Sequence, residues 1–362
     1  MQISKKKYSS KRFITIFSIV FLVALMCIGL ISYIVDPFFQ FRVKPDTRYF
    51  LNPRFVTGGL AKNYDYNLVV LGSSMTQNFN LNILRNIDAD SKPVKLSTGG
   101  MNCVEMEYIY SFIKKERVKT FIINIDIPQF NSTFEEVRYP QYLYENGVVN
   151  KLKYLYGYET FVRFIPIDIG LTLYLKDKSN HTPKYDMKTN IDNVGNTSLD
   201  VDYGANYVKQ LYLSGQTVSD QPLEGMKLRM QTRLDSMLVR MSPDRYPDAE
   251  YIFVMPPYSA LYWYHTKQQG YYNDFMEFTR YVEHSISKYN NVRIAFFFDM
   301  DEIIDLNYYA DITHFNTVIS DKILENINNQ AYELNSLTID YKLHRVDSLM
   351  NVFAEQNKDW LK

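Results

Sequence analysis

An uncharged run from Phe13 to Val35, preceded by Lys5, Lys6, Lys7, Lys11 and Arg12 and closed by Asp36 and Pro37, limits what this chain can fold into. About 20 apolar residues are needed to cross a bilayer core, and the run reaches that length. Basic residues collect on the cytoplasmic side of such a segment. Residues 1–12 are therefore expected as a cytoplasmic tail, residues 13–35 as a single transmembrane helix, and everything beyond Asp36 outside the cell membrane. A cleaved signal peptide would have a shorter apolar core and a small-x-small cleavage site. Tyr33-Ile34-Val35-Asp36-Pro37 offers no such site, so the anchor is expected to stay. A chain begun near Asp46, clear of the apolar run, is expected to be soluble and monodisperse.

The chain has 362 residues, enough for one large α/β domain or two small ones. Lys+Arg and Asp+Glu number 40 each, which argues against a general nucleic-acid binder, since neutralising phosphates takes a basic excess. The 31 tyrosines fit either AT-rich codon usage or a surface that stacks on sugars. Cys27 lies in the anchor and Cys103 stands alone outside it, so the soluble part has no intrachain disulfide. The five histidines are scattered without zinc spacing. Neither a metal nor a cofactor is expected.

Short apolar runs bounded by turn residues alternate with longer amphipathic stretches, the pattern of a parallel sheet with crossover helices. Strands are expected at Asn67–Leu71, Val94–Ser97, Thr120–Ile125, Tyr251–Met255 and Val292–Phe298. Helices are expected at Val104–Lys115, Tyr271–Lys288 and Thr317–Glu333. This is an α/β, flavodoxin-like doubly wound arrangement over about residues 46–335, in which ligands bind beyond the carboxyl ends of the strands. An insertion spans about 140–248. It opens with an aromatic helix-like stretch at Tyr142–Leu175, continues through a polar segment at Lys176–Tyr203 and ends in an amphipathic run at Leu223–Met241. Such insertions form lids and substrate walls or serve as solvated embellishments. A charged helix is expected over 336–362.

Two blocks carry chemistry. The first strand runs into Leu71-Gly72-Ser73-Ser74-Met75-Thr76, which places a hydroxyl at a strand's carboxyl end near backbone N–H groups able to hold an oxyanion. The same residues also suit an ordinary helix cap. Far downstream, Tyr309-Ala310-Asp311-Ile312-Thr313-His314-Phe315 brings an Asp and a His three residues apart into one turn. A carboxylate there fixes the imidazole tautomer and supports the imidazolium formed when His takes a proton from serine. In this topology both blocks face the same crevice.

These blocks resemble the SGNH (GDSL-like) serine hydrolase and acyltransferase superfamily, over roughly Asp36 to Asn329. The resemblance implies Ser74 as nucleophile, with Ser73 in reserve, Asp311 as orienting acid and His314 as base. Lys95-Leu96-Ser97-Thr98-Gly99-Gly100 resembles the family's second block, which implies that Ser74 and Gly100, or Gly99 in its place, supply oxyanion N–H groups. The third block departs from the family pattern Gly-x-Asn-Asp, for the strand here ends Asn124-Ile125-Asp126. Gln129, Asn131, Asn78 and Asn102 are the alternatives for the missing donor, and an ionised Asp126 facing the site would repel an oxyanion. The Pro256-Pro257-Tyr258 loop and nearby Trp263 either wall the site or pack in the core. Asn78, Asp126, Pro257, Tyr258 and Trp263 are thus the expected substrate contacts.

The anchored bacterial subgroup resembled includes relatives of alginate O-acetylation proteins and, more distantly, of the D-alanine transfer protein of teichoic-acid modification. What it implies is an extracytoplasmic esterase or O-acyltransferase acting on cell-envelope glycans through an acyl-serine. Its expected partners are an envelope polysaccharide or acylated glycan, the membrane, and an integral-membrane acyltransferase. The alternative is a non-catalytic protein of the same fold that binds glycan or such an acyltransferase.

Overall fold

The computed structural model of the protein describes residues 10–43, 53–87, 90–177, 202–216 and 224–361. Most of the expected cytoplasmic tail and almost all of the polar segment Lys176–Tyr203 lie outside these residues. Helix α1, Ser10–Val35, contains an 18-residue window of mean hydropathy 2.9, long and apolar enough to span a membrane. Among its residues Gly29 and Ser32 are buried.

The chain continues as α2 (Pro53–Asn63), β1 (Leu68–Leu71), α3 (Leu81–Ile87), β2 (Pro93–Lys95), α4 (Cys103–Phe112), β3 (Thr120–Asn124) and α5 (Ile127–Asn131). The region between the third and fourth strands holds α6 (Val148–Tyr156), a π-helical stretch at Glu159–Phe164, α7 (Ile165–Asp177), α8 (Ala205–Leu213) and α9 (Met226–Met241). Then follow β4 (Glu250–Met255), α10 (Ala260–Gln268), α11 (Tyr272–Ile286), β5 (Val292–Phe296), α12 (Thr317–Asn326), β6 (Glu333–Leu334) and α13 (Ile339–Gln356).

The six strands form one sheet in the order β2-β1-β3-β4-β5-β6, parallel except for the β5–β6 pair. The apolar runs of β1 and β3 are buried along nearly their whole length, as strands covered on both faces must be. Leu71 pairs with Ile123 at the carboxyl ends of β1 and β3. Because β2 lies on one side of β1 and β3 on the other, the order in which strands are added across the sheet reverses at β1, the kind of switch point beyond whose strand ends a crevice opens.

Two expectations change. Helix α12 stops at Asn326 instead of continuing to Glu333. The Asn329 side chain caps the next turn by accepting the Ala331 N–H at 3.0 Å, and the chain then supplies the antiparallel strand β6. Asparagine favours turns because its side chain bonds nearby backbone. The expected insertion also ends differently. Its last helix, α9, packs against α4, α5 and α11 and buries Met230, Leu234, Met237 and Met241. It is the crossover helix from β3 to β4 and part of the core.

Asp36 joins α1 to the rest. Its carboxylate accepts the N–H groups of Gln40 (2.8 Å), Phe41 (3.0 Å) and Arg42 (3.0 Å) and the Tyr154 hydroxyl (2.7 Å). The Arg42 guanidinium donates to the carbonyls of Tyr33 and Ile34 at 2.8 and 2.6 Å, two of the acceptors that a helix C-terminus leaves unpaired. Immediately afterwards Phe38 and Phe39 are buried, and Phe38 packs on Phe55, Tyr154 and Phe164 with ring centroids 5.0, 5.9 and 4.8 Å away.

The residues directly after Asp36 are therefore part of the packed core. Phe38→Ala is expected to lower the unfolding free energy by about 3–5 kcal/mol. A chain begun at Asp46 should melt below one begun at Asp36 in the same mild detergent. Equal melting temperatures would mean that Phe38 and Phe39 stand outside the cooperative core.

Candidate active site

Beyond β1 the chain turns through Gly72, where a Cβ would lie 2.6 Å from the Asn124 Cβ and 2.7 Å from Thr76 Oγ1. Only glycine lets β1 and β3 come this close at their ends. Ser73 then caps a short 3-10 turn, Ser74–Thr76, its hydroxyl accepting the Met75 N–H. The two serines part here. Ser73 is fully buried, whereas Ser74 is half-exposed.

Ser74 Oγ lies 2.8 Å from His314 Nε2, two side chains that stand 240 residues apart. His314 Nδ1 lies 2.6 Å from Asp311 Oδ2. The other carboxylate oxygen accepts the N–H groups of Thr313 and His314, each at 2.7 Å, and the Thr313 hydroxyl at 3.0 Å. Burial pushes the Asp311 carboxyl up, but these hydrogen bonds and the His314 charge outweigh it and hold the carboxyl at about 2. An ionised carboxylate can only accept, so Nδ1 carries the imidazole proton and Nε2 is free to accept from Ser74. Burial lowers the His314 pKa, but the bond to Asp311 and the charges of Asp311 and Asp126 reverse this, and the net direction is upward.

The turn carrying Asp311 and His314 is held from two sides. Ile312 O accepts the Ser259 N–H at 3.2 Å and the Ser259 hydroxyl at 2.6 Å, and the Tyr309 hydroxyl donates to Pro257 O at 3.1 Å. On the other side the Gly204 N–H donates to Tyr309 O at 3.1 Å, and the Ala205 N–H to Asn307 Oδ1 at 3.2 Å. The start of α8 is thereby docked beside the histidine.

A cavity of about 410 Å³ opens over these groups. Ser74, Asp311 and His314 line it together with Gln77, Asn78, Tyr203, Tyr207 and Leu211. Its wall is thus built by α8 and the residue preceding Gly204. No sequence motif marked these side chains. The available signal was the short amphipathic Ala205–Leu213 run between two polar stretches.

The Pro257-Tyr258 loop and Trp263 do not line the cavity. All three are buried, with Tyr258 and Trp263 packed on each other and on Phe298. Asp126 is equally remote from substrate. Its Oδ2 lies 2.5 Å from Ser73 Oγ, and its Oδ1 accepts the Tyr258 hydroxyl at 2.5 Å. Burial pushes its carboxyl up, the bonds to Ser73 and Tyr258 only partly offset this, and the net direction is upward. The expectation that Asp126, Pro257, Tyr258 and Trp263 contact substrate gives way to a scaffold role, because satisfying a buried carboxylate takes the hydroxyls around it.

The Ser74 N–H, at the first position of its turn, finds no acceptor among the described residues, as befits an orphan helix-start donor. Gly100 stands outside the cavity lining, in a left-handed turn with φ 63° that suits glycine, and its carbonyl accepts from the Arg138 guanidinium. Gly99 packs against the Gln77 side chain. Of the expected substitutes for the second donor, Asn102 caps α4 in a reciprocal pair with Glu105, and Gln129 bonds Asp126. Asn131 is buried beyond the lining. Asn78 lines the cavity, as does Gln77, which the sequence did not single out.

Asp126→Asn replaces a carboxylate that meets two hydroxyls by an amide with one acceptor oxygen, so that Ser73 must turn its proton to Asn124 Oδ1, 2.9 Å away. It is expected to lower the unfolding free energy by about 1–3 kcal/mol, measured by urea denaturation. A variant as stable as the parent would show that the Asp126 charge does not hold these loops.

No family model matches this chain, and no curated protein matches it. Among solved structures, one described as "a putative platelet activating factor from Streptococcus pneumonia" overlays with a TM-score of 0.38 and 10% sequence identity, covering 76% of this chain and 90% of that chain.

Proposed function

We propose that this chain is a membrane-anchored, extracytoplasmic SGNH-like serine esterase or O-acyltransferase on a flavodoxin-like doubly wound sheet, acting on cell-envelope glycans. The observation that carries the reading is the Ser74–His314–Asp311 relay, 2.8 and 2.6 Å long, opening on a cavity of about 410 Å³. His314 takes the Ser74 proton as Oγ attacks an ester carbonyl. The Ser74 N–H and an amide from Gln77 or Asn78 hold the oxyanion, and His314 returns the proton to the leaving alkoxide. Water or a sugar hydroxyl, deprotonated by His314, then attacks the acyl carbonyl, and His314 returns that proton to Ser74 Oγ as the acyl–oxygen bond breaks. Tyr203 and Tyr207 offer ring faces to a sugar.

The non-catalytic reading is favoured by one observation, the position of Gly99 and Gly100 outside the cavity lining. Under it the same cavity binds glycan without turnover.

A fluorophosphonate probe separates the two. The full chain in detergent is expected to label, and Ser74→Ala and His314→Ala each to abolish labelling and turnover of a small acetyl ester. The double variant should be hardly worse than either single one, since the members of such a relay act as a unit. Asp311→Asn should keep a residue of activity. A neutral His314 is the active base, so turnover should rise with pH through a midpoint above 6.5, and Asp311→Asn should move that midpoint down. Stability runs the other way: the charged His314–Asp311 pair contributes fully between the ordinary carboxylate range and pH 6.5, and its contribution is lost as pH climbs through the raised His314 value or falls through the Asp311 value of about 2. Wild-type chain that never labels would leave the binding reading alone.

A further inference from the structure

The surface beside α1 carries a second feature. Helix α6 and the π-helical stretch after it pack on α1. The contact lies at Gly29, where a Cβ would meet the Tyr156 hydroxyl at 2.6 Å. Gly29 is six residues before the end of α1, about 9 Å back along the helix axis at 1.5 Å per residue. The α6 end is thus level with the apolar run itself, below the Asp36 junction.

The outward faces there are apolar. On α6, Val149, Leu152 and Tyr156 follow one another at helical spacing and are 65%, 49% and 43% exposed. Val162 in the π-helical stretch and Pro166, Ile169 and Leu173 in α7 continue the pattern at spacings of four, three and four, and all are exposed. Lys153 and Arg163 flank the two stripes and are exposed, Arg163 being paired with Glu159 at 3.0 Å, and the stems of such side chains can lie along apolar surface. Among the described residues elsewhere, exposed large apolar side chains include Ile87, Phe134, Leu228 and Leu337 on separate elements, and such side chains standing singly need no partner.

We propose that α6 and α7 form a membrane-seated platform, with the apolar stripes of Val149–Tyr156 and Val162–Leu173 lying in the outer interface of the bilayer that α1 crosses. Lipid is the occupant because the platform abuts α1 at a depth where the neighbour of α1 is lipid. Tyr156 and Tyr158 stand where aromatic side chains collect at membrane interfaces. An amphipathic helix with basic flanks lies in the interface plane, its apolar face sunk about 5–10 Å. The inference rests on reading α1 as membrane-spanning. It adds that the domain is held to the bilayer by two contacts, so its orientation is fixed.

The test uses the full chain in phosphatidylcholine–phosphatidylglycerol vesicles, with an environment-sensitive fluorophore on one cysteine at a time. Native Cys27 reports on α1, and Cys103 is buried. In a Cys27→Ser background, Leu152→Cys and Val162→Cys report on the platform, and Leu337→Cys, 92% exposed in the parent, is the reference. Phospholipids brominated near the glycerol end of the acyl chains are expected to quench the two platform probes several-fold more than the Leu337 probe, with aqueous iodide showing the opposite order. If Cys27 is lipid-quenched while both platform probes match Leu337 towards iodide, the platform is wrong and the anchor stands. If the platform probes are shielded from iodide but untouched by brominated lipid, a protein partner or second copy occupies the surface, which also overturns the proposal. A Cys27 probe that lipid does not quench removes the anchor and the platform with it.

Discussion

The carboxylate of Asp126 holds the loops of this protein together. Buried at the end of β3, it lies 2.5 Å from the Ser73 hydroxyl on the loop after β1 and accepts the Tyr258 hydroxyl, also at 2.5 Å, from the loop after β4. The next residue along, Ser259, bonds the carbonyl of Ile312, inside the turn that bears Asp311 and His314. One chain of buried bonds thus links the serine half of the candidate site to its histidine half, across 240 residues of sequence. A charge in such surroundings is costly unless every lone pair is used, so a shift in any of the three loops leaves a buried acceptor unpaired. That penalty holds Ser74 facing His314.

This scaffold also accounts for the different fates of two adjacent serines. Ser73 spends its hydroxyl on Asp126 and the Met75 N–H, and the 3-10 turn it caps throws Ser74 outward toward the imidazole. The polarity of the pair follows from the same geometry. Asp311, held at about 2, leaves the proton on Nδ1 and an acceptor at Nε2. When ionised, Asp126 adds a second negative charge near the histidine and helps to raise its pKa. Its influence on the site runs through His314, because it has no exposure to the cavity.

At the other end of the domain, Asp36 does similar work for the apolar N-terminal helix. Four donors from the following chain and from Tyr154 converge on its carboxylate, and two buried phenylalanines follow at once. The apolar helix is therefore not tethered by a loose linker at this point. It enters the folded domain directly, against α6.

Much of this was legible in the residues themselves. Hydrophobic periodicity located β1 to β5 to within one or two residues, because strands buried on both faces must be apolar throughout. The Gly72-Ser73-Ser74 and Asp311-to-His314 blocks were visible because both functions are local: a tight turn before a helix, and an Asx-type turn that brings residues three apart into contact. The apolar run of α1 was equally plain. What the sequence left open depends on contacts between distant segments. Whether Asp126 faces solvent or Ser73, whether Tyr258 and Trp263 wall a site or fill a core, and which side chains from the long β3–β4 region reach the cavity are all settled by packing. The same holds for Asn78 against Asn102, where equal chemistry ends in a cavity wall and in a helix cap. Composition and spacing determine which groups a chain possesses and which near neighbours they meet; tertiary structure alone decides which of them lose water and face one another, because burial is a property of the whole assembly of elements and of no single one.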